Sequence, residues 1–266
     1  MATEWDANAA LRRAQIESGK DLTFSKVFVP MYVDLVTALK PRSILEAGSG
    51  TGHLALALSS LTNTYVGVEP SRGMASEAKS VLRKHSVRVF PSTLQDLTTD
   101  EVFDLALSHM CLQAIQDYQG FLTALARVIG AGGAFLVAFP HPSFFNEYKN
   151  FIPSREFSYM RTQNVSVDFE VTLDPGAKVK GVPYFHRPLT HYFSAFANAG
   201  LAVTYMEEVQ PPLEVQNLYG APWKSPRYII LGGTRLGDPV AAGQGTSVAA
   251  RLLELEKQLV ARACGG

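Results

Sequence analysis

Short apolar runs alternate with helical stretches between residues 41 and 139, in the rhythm of a strand–helix–strand fold. The helical stretches carry apolar residues at intervals of three and four, whereas the short runs are too brief for helices. Strands that alternate with helices in this way predict a parallel sheet, and hence an α/β domain. The predicted strands are Ser43–Ala47, Thr64–Val68, Val87–Phe90, Val102–Ser108 and Ala134–Phe139.

The alternation of strands and helices stops on both sides of this core. Residues 1–40 predict an N-terminal helical cap, with helices at Ala7–Ile16 and Val27–Leu39. Residues 140–187 are rich in aromatic side chains and predict a lid of helix and hairpin. Residues 188–236 predict one helix and two more strands that complete the sheet. Residues 237–266 predict a glycine-rich linker and an amphipathic helix, which could pack on its own domain or on a second copy.

Three glycines follow the first strand at alternate positions, Gly48, Gly50 and Gly52. Glycine permits backbone angles that other residues resist and lets a ligand approach the main chain closely. The N–H groups at the start of the next helix have no partner of their own and suit a polar ligand. Glu69 ends the second strand, where a carboxylate can accept both hydroxyls of a ribose. The sequence therefore predicts a nucleoside site.

The spacing of the turn argues against a dinucleotide. The dinucleotide fingerprint requires a third glycine where this chain has His53. Glu46 precedes the turn, where its charge would repel a pyrophosphate but suit the ammonium of an amino-acid tail.

Residues 46–52 with Glu69, together with residues 103–108 and 125–137, resemble the motifs of class I S-adenosylmethionine-dependent methyltransferases, in the order that the family requires. The resemblance implies a Rossmann-like sheet of seven mostly parallel strands with helices on both faces, and an α+β lid inserted after the fifth strand. It also implies S-adenosyl-L-methionine as the cofactor and S-adenosyl-L-homocysteine as the product.

The resemblance carries over to individual positions. It implies N-terminal aromatic residues over the cofactor and a substrate pocket under the lid. Thr93 departs from the family, in which many members have an aspartate that binds the adenine amino group. The implied cofactor residues are Glu46, Gly48, Ser49, Gly50, Gly52, Glu69, Pro70, Met74, Thr93, Leu94, Gln95, Ser108 and His109. The expected substrate residues are Phe24, Phe28, Met110, Phe144 and Tyr184.

Three histidines are candidate general bases, because a hydroxyl acceptor usually needs a base near the transferred methyl group. His109 ends the fourth strand, His141 follows the fifth, and His186 lies where the lid returns to the core. A packed structural role is the alternative for each.

Composition narrows the function. The chain has 24 basic and 24 acidic residues in 266, so its formal net charge is zero and nucleic acid is a disfavoured partner. No apolar run could span a bilayer, and no signal pattern begins the chain. Its two cysteines, Cys111 and Cys264, form no disulfide framework, and no His/Cys/Asp/Glu cluster has the spacing of a metal site. We expect a cytoplasmic monomer or homodimer that acts on a small molecule without a metal.

The favoured hypothesis is methyl transfer to a small aromatic or apolar metabolite, with oxygen preferred over nitrogen or carbon. The main alternative is a cofactor-binding protein without transfer activity, either a regulator or an auxiliary, cyclase-like factor. A nicotinamide-dependent oxidoreductase is a third reading, which His53 weakens.

Overall fold

Seven strands form one sheet in the order β3-β2-β1-β4-β5-β9-β8. The structure is a computed structural model, and it describes residues 4–237 and 247–264. The first five strands are parallel, and β9 and β8 are antiparallel to their neighbours. The strands are β1 (Ser43–Ala47), β2 (Thr64–Val68), β3 (Val87–Phe90), β4 (Phe103–His109), β5 (Ile129–Pro140), β8 (Leu201–Val209) and β9 (Tyr228–Arg235), and the predicted fold class is confirmed.

Helices cover both faces, because the central strands are buried on both sides. One core cluster joins the sheet to α2, α3, α4 and α9, and the other joins it to α5 and α7. The α-helices are α1 (Ala9–Glu17), α2 (Val29–Leu39), α3 (His53–Leu58), α4 (Arg72–Val81), α5 (Tyr118–Arg127), α6 (Phe145–Lys149), α7 (Leu189–Asn198), α8 (Leu213–Asn217) and α9 (Val248–Cys264). Short 3-10 turns occupy Asp6–Asn8, Ser59–Leu61 and Leu112–Ala114.

The strand order reverses between β1 and β4, so the loops after these two strands diverge and leave a crevice. Side chains alternate between the two faces along β4. Leu105 and Leu107 belong to the α2 side, and Ala106 to the α5 side. By the same alternation His109 faces α2, and Ser108 faces away from it.

The segment after β5 contains α6 and a separate two-stranded antiparallel sheet, β6 (Gln163–Glu170) with β7 (Lys178–His186). This hairpin is hydrogen-bonded to the N-terminal helix. The Asn8 side chain donates to the Lys180 carbonyl and accepts from the Lys180 N–H, both at 2.9 Å. Gln15 donates to the Ala177 carbonyl at 3.1 Å. The N-terminal segment and the hairpin therefore close over the sheet together.

Several boundaries differ from the predicted ones. A π-helix at Thr23–Phe28, which periodicity did not reveal, leads directly into α2. Strand β5 begins at Ile129, ahead of the predicted start at Ala134. The glycine-rich turn lies inside the strand, where Gly132 bends the backbone at φ +71°. Helix α9 packs on β5, β8 and β9 of its own domain. Most of the predicted glycine-rich linker, residues 238–246, lies outside the described residues.

Candidate active site

One cavity of about 440 Å³ runs from the glycine turn to the underside of the hairpin. The carboxyl ends of β1, β2 and β4 form its floor, and the N-terminal segment and the lid cover it. Fifteen of the predicted site residues line it: Phe24, Phe28, Glu46, Gly48, Ser49, Gly50, Glu69, Pro70, Met74, Thr93, Leu94, Gln95, His109, Met110 and Tyr184.

The three glycines of the turn have positive φ angles, but they serve different purposes. Gly48 and Gly50 line the cavity, at φ +77° and +53°. A Cβ at Gly50 would meet nothing within 4 Å, whereas one at Gly52 would lie 2.8 Å from Leu82 Cδ1. Gly52 does not line the cavity, and its missing side chain lets the turn approach Leu82; its predicted contact with the cofactor stays a prediction.

Glu69 binds the turn from the tip of β2. Its two carboxylate oxygens accept the N–H groups of Gly50 and Ser71, each at 2.8 Å. Burial raises the pKa of this carboxyl, and the two backbone hydrogen bonds oppose the rise. Each carboxylate oxygen retains a free acceptor site. The carboxylate can therefore order the glycine turn and accept a ligand hydroxyl at the same time.

Glu46 is only 2% exposed and lines the same end of the cavity. Burial raises its pKa to about 8, although a hydrogen bond from the Tyr65 hydroxyl at 2.9 Å opposes that rise. A buried carboxyl of this kind becomes a carboxylate readily when a cation binds beside it. Glu46 is thus suited to an ammonium group.

The opposite end of the cofactor region lies after β3. The Thr93 hydroxyl donates to Asp96 at 2.7 Å and accepts the Asp96 N–H at 3.1 Å, so it stabilises its own loop. Leu94, Gln95 and Met74 form the remaining wall, which is mainly apolar.

His109 lies among three aromatic rings. Its ring centroid is 4.5 Å from that of Phe28, 5.6 Å from Tyr32 and 5.9 Å from Phe24. Burial lowers its pKa to about 4, and its Nδ1 atom has no hydrogen-bond partner among the residues that the structure describes. At neutral pH this imidazole is uncharged and can accept a proton or a hydrogen bond.

Met110, the next residue, has φ +54°, in the left-handed region that a side chain disfavours. Its N–H donates to the Ala138 carbonyl at 2.8 Å, and its side chain lines the cavity. Strained backbone often marks a functional position. Ser108 is fully buried and does not line the cavity, as strand alternation indicates, and its predicted contact with the cofactor stays a prediction.

The other two candidate bases point elsewhere. His141 is bonded to Glu208 at 3.0 Å and stacks on Phe144, and neither ring lines the cavity. His186 is bonded to the Tyr159 carbonyl at 2.9 Å inside the lid. Burial lowers the pKa of both histidines. The structure therefore places His141, His186 and Phe144 outside the cavity lining, and their predicted roles stay predictions.

A polar group in the cavity was not foreseen from the sequence. Asp21 is buried, forms an ion pair with Arg12 at 2.8 Å, and accepts the Phe24 N–H at 3.0 Å. Arg12, Asp21 and Lys149 all line the cavity. Asp21 lies in the polar turn before the π-helix, and that turn could have indicated it from the sequence. No local pattern relates Asp21 to Arg12 or to Lys149. The aromatic lining also includes Phe145, Tyr148, Phe151, Phe169 and Tyr228.

Within residues 4–237 and 247–264, no group of three or more His, Cys, Asp or Glu side chains could hold a metal ion. No helix in these ranges is long and apolar enough to cross a membrane.

Comparison with known proteins identifies relatives of the core. A family model described as a methyltransferase domain matches residues 45–137. Demethylmenaquinone methyltransferase of Tropheryma whipplei is 31% identical over 104 residues, which cover 38% of this chain and 44% of that protein. An uncharacterized methyltransferase of Bacillus subtilis, YcgJ, is 27% identical over 131 residues, 46% of this chain and 52% of its own. The chain thus spans about half the length of these relatives.

Among solved structures, the fold is similar to that of a methyltransferase from Burkholderia thailandensis. This 1,6-didemethyltoxoflavin-N1-methyltransferase was solved with 1,6-didemethyltoxoflavin and S-adenosylhomocysteine bound. The match has a TM-score of 0.56 and 15% identity, and it covers 89% of this chain and 92% of that one.

Proposed function

We propose that the protein is an S-adenosylmethionine-dependent methyltransferase that transfers the cofactor's methyl group to a small aromatic or apolar metabolite. The methyltransferase-domain model that matches residues 45–137 supports this proposal. One observation carries the proposal: a single cavity joins the turn with its two buried carboxyls to a pocket walled by aromatic side chains. Small-molecule acceptors also appear in the names of two similar proteins.

Residues at and around the glycine turn would each bind a different part of the cofactor. Glu69 would accept the ribose hydroxyls, and Glu46 would take the ammonium of the methionine tail. Leu94, Gln95 and Met74 would enclose the adenine. When bound, the sulfonium supplies an activated methyl group, so the protein has to position the acceptor and, for a hydroxyl, to receive its proton.

Oxygen is the acceptor that we favour, and His109 is the group that would hold its hydrogen. His109 is the one candidate base that lines the cavity. With a pKa of about 4, the imidazole is uncharged at neutral pH and a weak base. It is better matched to a phenol than to an aliphatic alcohol, because a phenol gives up its proton at a pKa of about 10. Phe24 and Phe28, which contact His109, would pack on the acceptor ring.

Binding and transfer test the proposal separately. We expect S-adenosylhomocysteine to bind in calorimetry and NAD⁺ not to bind, and Glu46→Ala with Glu69→Ala to abolish that binding. Equal affinity of the double variant would contradict the cofactor assignment. Transfer of a labelled methyl group is then measured with matched phenols and anilines. Products labelled only on nitrogen or carbon would refute the preference for oxygen.

A further inference from the structure

Lys149 brings a cation into the acceptor end of the cavity. It is the last residue of α6, and its Nζ donates to the Glu170 carbonyl at 3.0 Å and lies 4.8 Å from the Tyr148 ring centroid. An ammonium has three N–H donors, so two remain after the bond to Glu170. These donors are available to a ligand in the cavity.

No carboxylate in the described ranges 4–237 and 247–264 forms an ion pair with Lys149. The nearby acids are engaged elsewhere. Asp21 pairs with Arg12 at 2.8 Å, and Glu170 pairs with Lys178 at 3.7 Å. Burial lowers the pKa of Lys149, and the charge of Arg227 lowers it further, whereas Asp21 and Glu170 raise it. A partly desolvated ammonium without a counter-ion is costly.

Arg227 adds a second cation on the same tyrosine. Its guanidinium lies 3.8 Å from the Tyr148 ring centroid and 4.1 Å from that of Trp223. Its Nη1 atom is buried without a hydrogen-bond partner. Two cations thus flank Tyr148, and neither is paired with a carboxylate in the described part of the chain. Lys149, which lines the cavity, is therefore a cation at its acceptor end with no paired carboxylate in the described part of the chain.

We propose that the methyl acceptor is an aromatic acid whose carboxylate binds Lys149. The ring would lie among Tyr148, Phe151 and Tyr184, with its hydroxyl directed to His109. A single carboxylate suits the site because Lys149 lines the cavity and Arg227 does not. This inference rests on the proposed function and specifies its substrate class.

The test uses three probes of one shape: 4-hydroxybenzoate, 4-hydroxybenzamide and 4-hydroxybenzylamine. Each is titrated calorimetrically into the full chain saturated with S-adenosylhomocysteine. We expect the carboxylate to bind at least tenfold more tightly than the amide, since a charge-assisted hydrogen bond is lost in the amide. Lys149→Met should remove that preference, and Lys149→Arg should retain most of it.

Lys180→Met is the matched control, because it removes the same charge from an exposed position on the hairpin, away from α6 and Lys149. It should leave the preference unchanged. Failure of S-adenosylhomocysteine to bind the wild type would refute the proposed function itself. If the cofactor product binds, the inference is overturned by tighter binding of the amine, by equal binding of acid and amide, by no binding of the acid, or by an intact preference in Lys149→Met. Unchanged affinity of Lys149→Met for S-adenosylhomocysteine establishes that the variant is folded.

Discussion

At the scale of single residues, the site depends on groups whose burial changes their chemistry. Burial disfavours the charged forms of both Glu46 and His109. Burial raises the pKa of the acid and lowers that of the base, so both are uncharged at neutral pH in the free protein. Each can then respond to a ligand: the acid to a cation, and the imidazole to a hydroxyl.

Glu46→Gln should stabilise the free protein at high pH. The folded pKa of about 8 lies above the ordinary 4.5, so between these values the folded state holds a proton that the unfolded state has lost. The free energy of unfolding therefore falls as pH rises through this window, by on the order of 5 kcal/mol in all. In urea unfolding, we expect the free energy of unfolding of the variant to exceed that of the wild type by a few kcal/mol at pH 8 and by little at pH 4.5.

The same substitution should weaken the binding of S-adenosylhomocysteine at least tenfold, because the ammonium loses its carboxylate. In the wild type, binding at pH 7 should release about one proton from Glu46, which calorimetry in buffers of different ionisation enthalpy measures. A Glu46→Gln variant with the wild-type pH dependence of stability, or with the same proton release, would show that Glu46 is not the titrating group.

His109 should remain neutral through the physiological range. Its folded pKa lies below that of the unfolded chain, so the unfolded state takes up the proton first as pH falls. Stability should therefore decline from about pH 6.5 towards pH 4. The Cε1–H signal of His109 should titrate near pH 4 by NMR. A midpoint above pH 6 would contradict the buried, uncharged imidazole.

At the scale of elements, Gly50→Ala and Gly52→Ala should impair different properties, ligand binding in the first case and stability in the second. Both have positive φ, so each substitution costs about 1 kcal/mol of backbone strain. Gly50 borders open space in the cavity, so its new methyl should mainly impair binding of S-adenosylhomocysteine. Gly52 abuts Leu82, so its methyl should mainly lower the free energy of unfolding, by about 1–3 kcal/mol in excess of the strain.

Urea unfolding and calorimetry on both variants separate the two effects. Equal loss of affinity with equal loss of stability would mean that the turn acts as one structural unit. The division between a ligand-facing and a packing glycine would then be wrong.

The elements that sequence could predict are those with a local cause. Apolar runs and glycine spacing placed β1, β2 and the turn between them, because strand burial and positive φ leave a mark on neighbouring residues. Strand alternation would also have separated Ser108 from His109, since only one of two consecutive residues can face α2. The sequence motifs contained that distinction, but the family pattern assigned both residues to the cofactor.

What sequence could not predict depends on distant partners. His141 was a candidate base from its place after the fifth strand, but it is held by Glu208, which lies 67 residues further along the chain. Asp21 gains its place in the cavity through Arg12 and the π-helix, and Lys149 through the packing of α6 beneath the hairpin. No periodicity within one segment encodes such contacts, so these side chains become visible only in the folded molecule.

At the scale of the whole molecule, the N-terminal segment and the hairpin form one cover through the two bonds between Asn8 and Lys180. Asn8→Ala should lower the free energy of unfolding by about 1–3 kcal/mol, because the Lys180 backbone groups lose a buried partner. Hydrogen exchange should accelerate in β7 and remain unchanged in β1 and β4. Asn164→Ala, at an exposed position of the hairpin, is the control. Unaltered exchange in β7 would contradict a shared cover.

The bonds between Asn8 and Lys180 also have a kinetic consequence. The cover over the glycine turn and the cover over the aromatic pocket are bonded to each other, so under the proposed function neither the cofactor product nor the methylated product should leave while the other stays enclosed. We expect both to escape during the same opening event. The rate at which this cover opens would then limit turnover. A tightly bound product would delay the exchange of spent cofactor for fresh methyl donor.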